Sequence, residues 1–146
     1  MKIELQLDPK QQETKVIIIA EQLSEEVKTI MNKLSQEHTQ VIAGFHQERL
    51  EILEPESIYR IYAASQKMYA VTEKGEYTLR SRLYELEEQL IGKNFIRISN
   101  SEIVNLKRIK NFDLSYAGTI GVVMTDGTTT FVSRRYVSKI KQALGI

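Results

Sequence analysis

The chain has 146 residues, of which 42% are hydrophobic, and it contains no cysteine. This length suits one ordinary domain, or one domain of roughly 100 residues with a smaller partner. The absence of cysteine excludes disulfides, thiolate metal ligands and a cysteine nucleophile. The first ten residues lack the apolar segment of a signal peptide, and the longest apolar run, residues 16–20, is far shorter than the ~20 residues of a membrane helix. We therefore expect a cytoplasmic protein.

The net charge of +1 conceals an uneven distribution of charge along the chain. Residues 1–44 carry five Lys against seven acidic residues, a net charge of −2, whereas residues 93–146 carry nine basic residues against three acidic ones, a net charge of +6. A basic end of this kind predicts a surface that binds a polyanion. A solvated basic surface without a partner explains the charge equally well.

The first 45 residues predict a small α/β unit. Residues 2–7 alternate between apolar and polar side chains and predict a half-buried strand, and the β-branched residues 15–20 predict a buried one. Ser24 is a suitable helix N-cap, and apolar residues follow at i, i+3, i+4 and i+7 from Val27, which predicts an amphipathic helix. A further short strand is predicted over 39–45. This unit is too short for a phosphoacceptor receiver domain, and the three Asp of the chain form no cluster in the sequence.

The remainder predicts a β-rich domain with short helices. Residues 48–57 are polar, contain Pro55, and predict a connector. Short strands are then predicted over 58–63, 68–72, 76–79, 95–98, 103–106, 109–116, 119–124 and 129–132. Helices are predicted from Ser81 and from Ser133, and the Ser133 side chain is expected to cap the last helix. Asp126 with Gly127 predicts a two-residue hairpin turn. The fold class is α+β and mainly β, with a small α/β unit over 1–45 followed by a β-rich domain over 46–146. We expect the first unit to serve dimerisation or regulation.

Three stretches of this second domain carry a family pattern. The first is the helix over residues 81–90. The second is the block over 94–106, in which an aromatic residue and an Arg precede a small polar loop, followed by an apolar pair and an Asn. The third is the turn at Asp126 followed by the strand and helix over 131–140. Together and in this order they resemble the LytTR DNA-binding family over residues 46–146, and the block over 94–106 is the most specific part.

The resemblance implies an elongated fold of small β-sheets, from which loops and a helix start enter the grooves of double-stranded DNA. It also implies a homodimer that binds repeated half-sites. A short front end without a receiver domain resembles the stand-alone bacterial transcription regulators of the family. Such regulators are often paired with an integral membrane protein that restrains them, so we expect restraint by a partner rather than by receiver phosphorylation.

The family contacts bases through two loops and one helix start, which correspond here to residues 65–67, 99–101 and 134–135. The resemblance assigns base reading to Gln66, Asn100 and Arg135. Phosphate-binding or supporting roles fall to Lys67, Arg97, Ser99, Ser101, Lys107, Arg108, Arg134, Lys139 and Lys141. Arg134 could exchange roles with Arg135. Relatives often carry His at the position of Gln66, which leaves the preferred base there open.

The chemistry of these side chains agrees with base reading. Asn and Gln amides match the N6 and N7 edge of adenine, and an Arg guanidinium matches O6 and N7 of guanine. Each residue also has an ordinary explanation: Asn100 between two serines suits a turn, and two arginines suit a solvated helix start, although the helix dipole disfavours them there. Asn105 follows an apolar pair and is predicted to be structural.

Other functions have little support in the sequence. His38 and His46 lack a nearby set of acidic ligands, and no Gly-rich phosphate loop or nucleophile elbow is present, so we expect no metal, cofactor, small-molecule substrate or enzyme activity. One alternative is a single-strand binder that uses the strand face around residues 95–97. Another is an adaptor that keeps the same β-domain but binds nucleic acid without reading an operator, or binds a protein.

Overall fold

The computed structural model describes residues 1–35 and 41–146. The chain divides into two compact units, Met1–Thr39 and Gln40–Ile146. The first unit contains one helix, α1 (Glu25–Ser35), and the second contains every strand among the described residues. The strand predicted over 39–45 falls partly outside the described residues, and its described part belongs to the second unit.

In the first unit, the helix was predicted correctly and the two strands were not. The Ser24 hydroxyl accepts the Val27 backbone N–H at 3.2 Å, and Glu25 and Glu26 occupy the first turn, where the helix dipole favours acidic side chains. Residues 2–7 and 15–20 form no strand. An alternating or β-branched pattern shows which face of a strand would be buried, but a strand also needs a neighbour to pair with. Among the described residues, no strand pairs with either segment.

The second unit contains a seven-stranded antiparallel sheet with the strand order β2-β1-β5-β4-β3-β7-β6. Its strands are β1 (Ile42–His46), β2 (Arg49–Leu53), β3 (Ile58–Ala64), β4 (Lys67–Thr72), β5 (Gly75–Leu79), β6 (Phe95–Ser99) and β7 (Glu102–Asn105). The helix α2 (Leu83–Gln89) connects β5 to β6 and begins two residues later than the predicted start.

Two expectations about the start of this unit were wrong. The predicted connector over 48–57 contains β2 and a 3-10 turn at Pro55–Ser57, because the hairpin with β1 pairs Ile42 with Leu53 at the edge of the sheet. An edge strand tolerates polar side chains, which is why the segment reads as a connector in the sequence. Since β1 also pairs with β5 through Phe45 and Thr78, the β-rich domain begins no later than residue 42, rather than at 46.

A three-stranded sheet and a helix complete the second unit. The strands β8 (Ile109–Asp113), β9 (Ile120–Met124) and β10 (Thr129–Val132) are ordered β10-β9-β8. Gly127, with φ of 89°, supplies the left-handed conformation of the predicted β9–β10 turn. The helix α3 (Arg134–Leu144) ends at Gly145, which has the left-handed conformation common after a helix.

Two hydrophobic cores flank the β6–β7 hairpin. Ile103 packs with Ile61 and with Leu86 of α2 in the first core, whereas Ile98 and Val104 pack in the second core. Ile103 and Val104 are adjacent in β7 and therefore point to opposite faces of the sheet, one into each core. This hairpin is fixed from both sides, which makes the turn at its end a rigid platform.

Candidate nucleic-acid interface

The three segments assigned to base contacts lie at one end of the second unit. β3 and β7 are antiparallel neighbours in which Tyr62 is opposite Glu102, and the Ala63 N–H donates to the Ser101 carbonyl at 2.8 Å. The end of β3 therefore lies beside the beginning of β7. Consequently the β3–β4 turn at Gln66 and the β6–β7 turn at Asn100 are neighbours at the same edge.

The start of α3 joins the same end. The backbone N–H of Ser133 donates to the Ile98 carbonyl at 2.9 Å, which anchors the start of the helix against β6. One turn into the helix, the Tyr136 hydroxyl donates to Asn100 Oδ1 at 3.1 Å. These two bonds connect the first turn of α3 directly to the β6–β7 turn.

The β3–β4 turn has an uncommon backbone. Ser65 and Gln66 have φ of 51° and 64°, the two consecutive left-handed residues of a type I′ hairpin turn. Non-glycine side chains are uncommon in this conformation, and such outliers are concentrated at functional sites. The side chains of Gln66 and Lys67 are both exposed.

Hydrogen bonds from the Arg97 side chain hold the β6–β7 turn in place. Its guanidinium donates to the Ser99 carbonyl at 2.9 Å, to the Asn100 carbonyl at 2.7 Å and to a Glu87 carboxylate oxygen of α2 at 3.1 Å. The turn is closed further by the Ser101 N–H, which donates to the Ser99 hydroxyl at 3.1 Å. Arg97, Ser99 and Ser101 thus determine the position of Asn100, and the Arg97 charge is already neutralised by Glu87.

Asn100 is exposed at the tip of this turn. Its Oδ1 accepts the Tyr136 hydroxyl, so the amide nitrogen is oriented away from Tyr136. An asparagine held by its oxygen still has two N–H donors and one remaining lone pair, which is the donor and acceptor pair that an adenine edge requires.

The first turn of α3 presents two exposed arginines. Arg134 extends toward Gly118 in the β8–β9 turn. Its Nε lies 3.6 Å from the position that a Cβ would occupy at Gly118, so the two residues are in close proximity. The Arg135 side chain makes no hydrogen bond or ion pair with any described residue. Ser133 occupies the N-cap position, but its side chain makes no capping hydrogen bond, contrary to the expectation of a side-chain cap. The first N–H groups of α3 therefore keep their capacity to bind an anion.

The other basic residues fall into two groups. The Lys139 ammonium lies 6.0 Å from the centre of the Tyr136 ring, and Lys141 is exposed further along α3. Lys107 and Arg108 follow the opposite end of β7. Arg108 donates from Nε and Nη2 to the Glu56 carbonyl at 3.2 and 2.9 Å and lies over Tyr59, so its guanidinium fastens a loop.

Asn105 is structural, as the sequence predicts. It is 2% exposed, its Nδ2 donates to the Ile58 carbonyl at 2.9 Å, and its Oδ1 accepts the Lys107 N–H at 3.0 Å. These bonds join β7 to the beginning of β3 at the end opposite the candidate interface.

Two residues that sequence reasoning missed support the interface. Tyr136 orients Asn100, and the buried Glu102 accepts from Arg60 at 2.9 Å and from the Thr130 hydroxyl at 2.6 Å. Glu102 thereby joins the two sheets directly behind the β6–β7 turn. One signal was available: Glu102 is one of three acidic residues in the basic region of 93–146.

Tyrosines near the β3–β4 turn pack against neighbouring groups. Tyr62 stacks on Tyr69 with ring centres 5.2 Å apart and donates its hydroxyl to Glu76 at 2.8 Å. Burial and this hydrogen bond raise the pKa of Tyr62, so its hydroxyl stays protonated at neutral pH.

Residues 1–35 and 41–146 contain no group of three or more His, Asp or Glu side chains that could hold a metal ion. His38 lies outside the described residues, and Nδ1 of His46 is 3.2 Å from the Glu76 carbonyl. Among the described helices, none has the length and apolar character needed to cross a membrane.

The geometry defines a β-rich domain in which two hairpin turns and one helix start lie together at one end. Comparison with known proteins gives the family. The family model described as the LytTr DNA-binding domain matches residues 48–145 of this chain. The chain belongs to the LytTr DNA-binding domain family, and its α+β, mainly β fold is that of the family.

Proteins similar to this chain carry names of the same kind. Uncharacterized HTH-type transcriptional regulators from Staphylococcus aureus strains MSSA476 and MW2 are each 34% identical over 149 residues, covering 100% of this chain and 99% of each relative. A solved structure of a LytTr DNA-binding domain from Bacillus cereus has a TM-score of 0.70 and 26% identity, and the match covers 75% of this chain and 100% of that one.

Proposed function

We propose that this protein is a bacterial transcription regulator that binds double-stranded DNA at a specific sequence in the cytoplasm. The observation that carries the proposal is the convergence of Gln66, Asn100 and Arg135 on one end of the second unit. A single residue of this kind in a turn has ordinary explanations, but three rigid elements that bring two amides and a free guanidinium together match what direct base reading requires.

The surface divides into readers, positioners and phosphate contacts. Gln66, Asn100 and Arg135 read base edges in the grooves, and Arg134 is the neighbour that could replace Arg135. Arg97, with the two serines of its turn, positions Asn100. The phosphate contacts are Lys67, Lys139 and Lys141, whose point charges are exposed and fix the register without reading sequence. Lys107 and Arg108 lie at the far end of β7 and contribute general positive charge.

Duplex DNA is favoured over a single strand. Single-strand binding needs exposed aromatic rings interleaved with free basic groups. In the strand face that the sequence suggested for this role, Phe95 packs against the first core and Arg97 is held by Glu87 and the turn carbonyls. The polar tips of the two turns suit the edges of paired bases instead.

Regulation is proposed to act through partners. The first unit, Met1–Thr39, is too short to be a receiver domain. Restraint by a membrane protein is the form of control that we expect. Two copies bound to two half-sites one or two helical turns apart, roughly 10–21 bp, would give a homodimer its operator.

The test is selection of binding sites from a pool of randomised duplexes, followed by titration of the full chain. The titration uses the selected duplex, a scrambled duplex of the same composition, and each isolated strand. We expect one enriched motif and a preference for the selected duplex of at least about 10³-fold. Equal binding to the single strands would favour the single-strand function. Absence of enrichment, or of any binding, would favour the adaptor.

A further inference from the structure

The first unit exposes most of its apolar side chains. None of residues 1–34, the part of this unit whose side chains are described, is buried. Ile17 is 67% exposed and Ile19 is 93% exposed. Contiguous apolar surface of this kind marks an interaction site in a native protein. A unit this small cannot reach independent stability without burying such side chains.

The segment over residues 15–21 shares a groove with α1, and no strand pairs with its backbone among the described residues. Val16, Ile18 and Ala20 line one side of an open groove of about 540 Å³, and Val27, Met31 and Leu34 of α1 line the other. Ile17 and Ile19 do not line this groove and are exposed. No strand among the described residues pairs with this segment, so its backbone can form a ladder with another chain.

The sequence of this segment is complementary to itself. In an antiparallel pair about a two-fold axis at Ile18, Lys15 of each copy is opposite Glu21 of the other, and Val16 is opposite Ala20. The apolar residues then meet apolar residues on both faces, and opposite charges close both ends. A parallel pairing in register would instead place Lys15 beside Lys15 and Glu21 beside Glu21.

We propose that the partner of this surface is a second copy of the same chain, joined by antiparallel pairing of residues 15–21 about Ile18. A two-fold interface uses the same patch on both copies, so it requires a segment that complements itself, and this one does. The paired segments form a ribbon on which the α1 helices of both copies bury Val27, Met31 and Leu34. The dimer itself does not depend on DNA. Its use, which rests on the proposed function, is to carry two DNA-binding units to two half-sites.

The test exchanges the charges at the ends of the segment in the full chain without DNA. Sedimentation velocity across a concentration series at 0.15 M salt gives the dimer dissociation constant of the wild type, of Lys15→Glu and of Glu21→Lys. Each single variant replaces two attractive pairs with two repulsive ones, so we expect the dissociation constant to rise about ten-fold. An equimolar mixture of the two single variants restores every opposite-charge contact, and we expect dimers to return. Lys10→Glu makes the same charge change outside the segment and should leave the constant unchanged.

Several results would overturn the proposal. A monomeric wild type at micromolar concentration would do so, as would a mixture that associates no better than its components. Ile18→Asp should abolish the dimer, and an unaffected dimer would place the interface elsewhere. A monomeric wild type that sediments with anionic phospholipid vesicles would assign the surface to a membrane. Titration of each variant with a single half-site checks the second unit separately: unchanged half-site binding alongside lost dimerisation leaves the DNA-binding function intact.

Discussion

Replacing Arg97 with methionine should destabilise the second unit and weaken its choice among DNA sequences. Methionine keeps an apolar stem of similar length, so the change removes chiefly the guanidinium. The side chain loses its bonds to the Ser99 and Asn100 carbonyls, at 2.9 and 2.7 Å, and its ion pair with Glu87 at 3.1 Å. The β6–β7 turn is then held mainly by its serines.

The expected magnitude follows from the exposure of these groups. A hydrogen bond to a charged group contributes ~1.5–3 kcal/mol when buried. The Arg97 side chain is 18% exposed and that of Glu87 is 39% exposed, and water can reach the released Asn100 carbonyl, so each bond falls at or below the lower end of that range. We expect a loss of about 2 kcal/mol in the free energy of unfolding, or ~10 °C in Tm for a domain of roughly 100 residues. The preference for selected over scrambled duplex should fall about ten-fold.

Urea unfolding and paired titrations with the two duplexes measure both effects. Arg49→Met is the matched control, because Arg49 lies on β2 at the opposite edge of the sheet and its side chain makes no hydrogen bond or ion pair with any described residue. It removes the same charge and should change stability by less than about 0.5 kcal/mol. If Arg97→Met is as stable as this control, the three bonds do not hold the turn. If Arg97→Met is less stable than the control but keeps its preference for the selected duplex, base reading by the β6–β7 turn does not require Arg97.

Three further predictions address the support of the interface and its charge. Tyr136→Phe removes the hydroxyl that donates to Asn100 Oδ1. It should lower the preference for the selected over the scrambled duplex about five-fold and reduce the free energy of unfolding by ~1 kcal/mol or less. An unchanged preference in the same titrations would show that Asn100 needs no such support. Glu102→Gln breaks the ion pair with Arg60, whose two side chains are 10% and 20% exposed. In urea unfolding it should lower the free energy of unfolding by ~2–4 kcal/mol, whereas the exposed control Glu88→Gln should lower it by less than about 0.5 kcal/mol. Equal stabilities of the two variants would contradict the connecting role of Glu102. The logarithm of the binding constant should fall with the logarithm of salt concentration with a slope of roughly −4 to −7 per protomer, for about 4–8 neutralised phosphates; a flat response would favour a protein partner.

Local signals predicted much of the second unit. Asp126 and Gly127 correctly mark the position of the β9–β10 turn, where Gly127 adopts positive φ. The connection spans residues 125–128 and is longer than the predicted two-residue turn. Ile103 and Val104 fit a strand buried on both faces, which is the position that β7 occupies between two cores. The signals that failed depend on partners: β2 is polar because it lies at a sheet edge, and residues 2–7 alternate without a strand to pair with.

The candidate site was predictable in its residues and less so in their roles. The order of motifs located the two turns and the start of α3, because each is a local feature. The sequence shows that Arg97 and Arg108 are positive, but not that Glu87 and backbone carbonyls already occupy their guanidinium groups. Tyr136 was missed for the same reason, since its role comes from a contact with Asn100 across 36 residues of chain.

The most direct test of the central claim compares two proposed readers with one proposed phosphate contact. Asn100→Ala, Arg135→Ala and Lys139→Ala are each titrated with the selected and the scrambled duplex across a salt series. We expect each reader variant to lose ~1–3 kcal/mol on the selected duplex only, with relaxed preference at one base, whereas Lys139→Ala weakens both duplexes alike and reduces the salt slope by about one. Equal losses on both duplexes for Asn100→Ala and Arg135→Ala would contradict base reading by these residues.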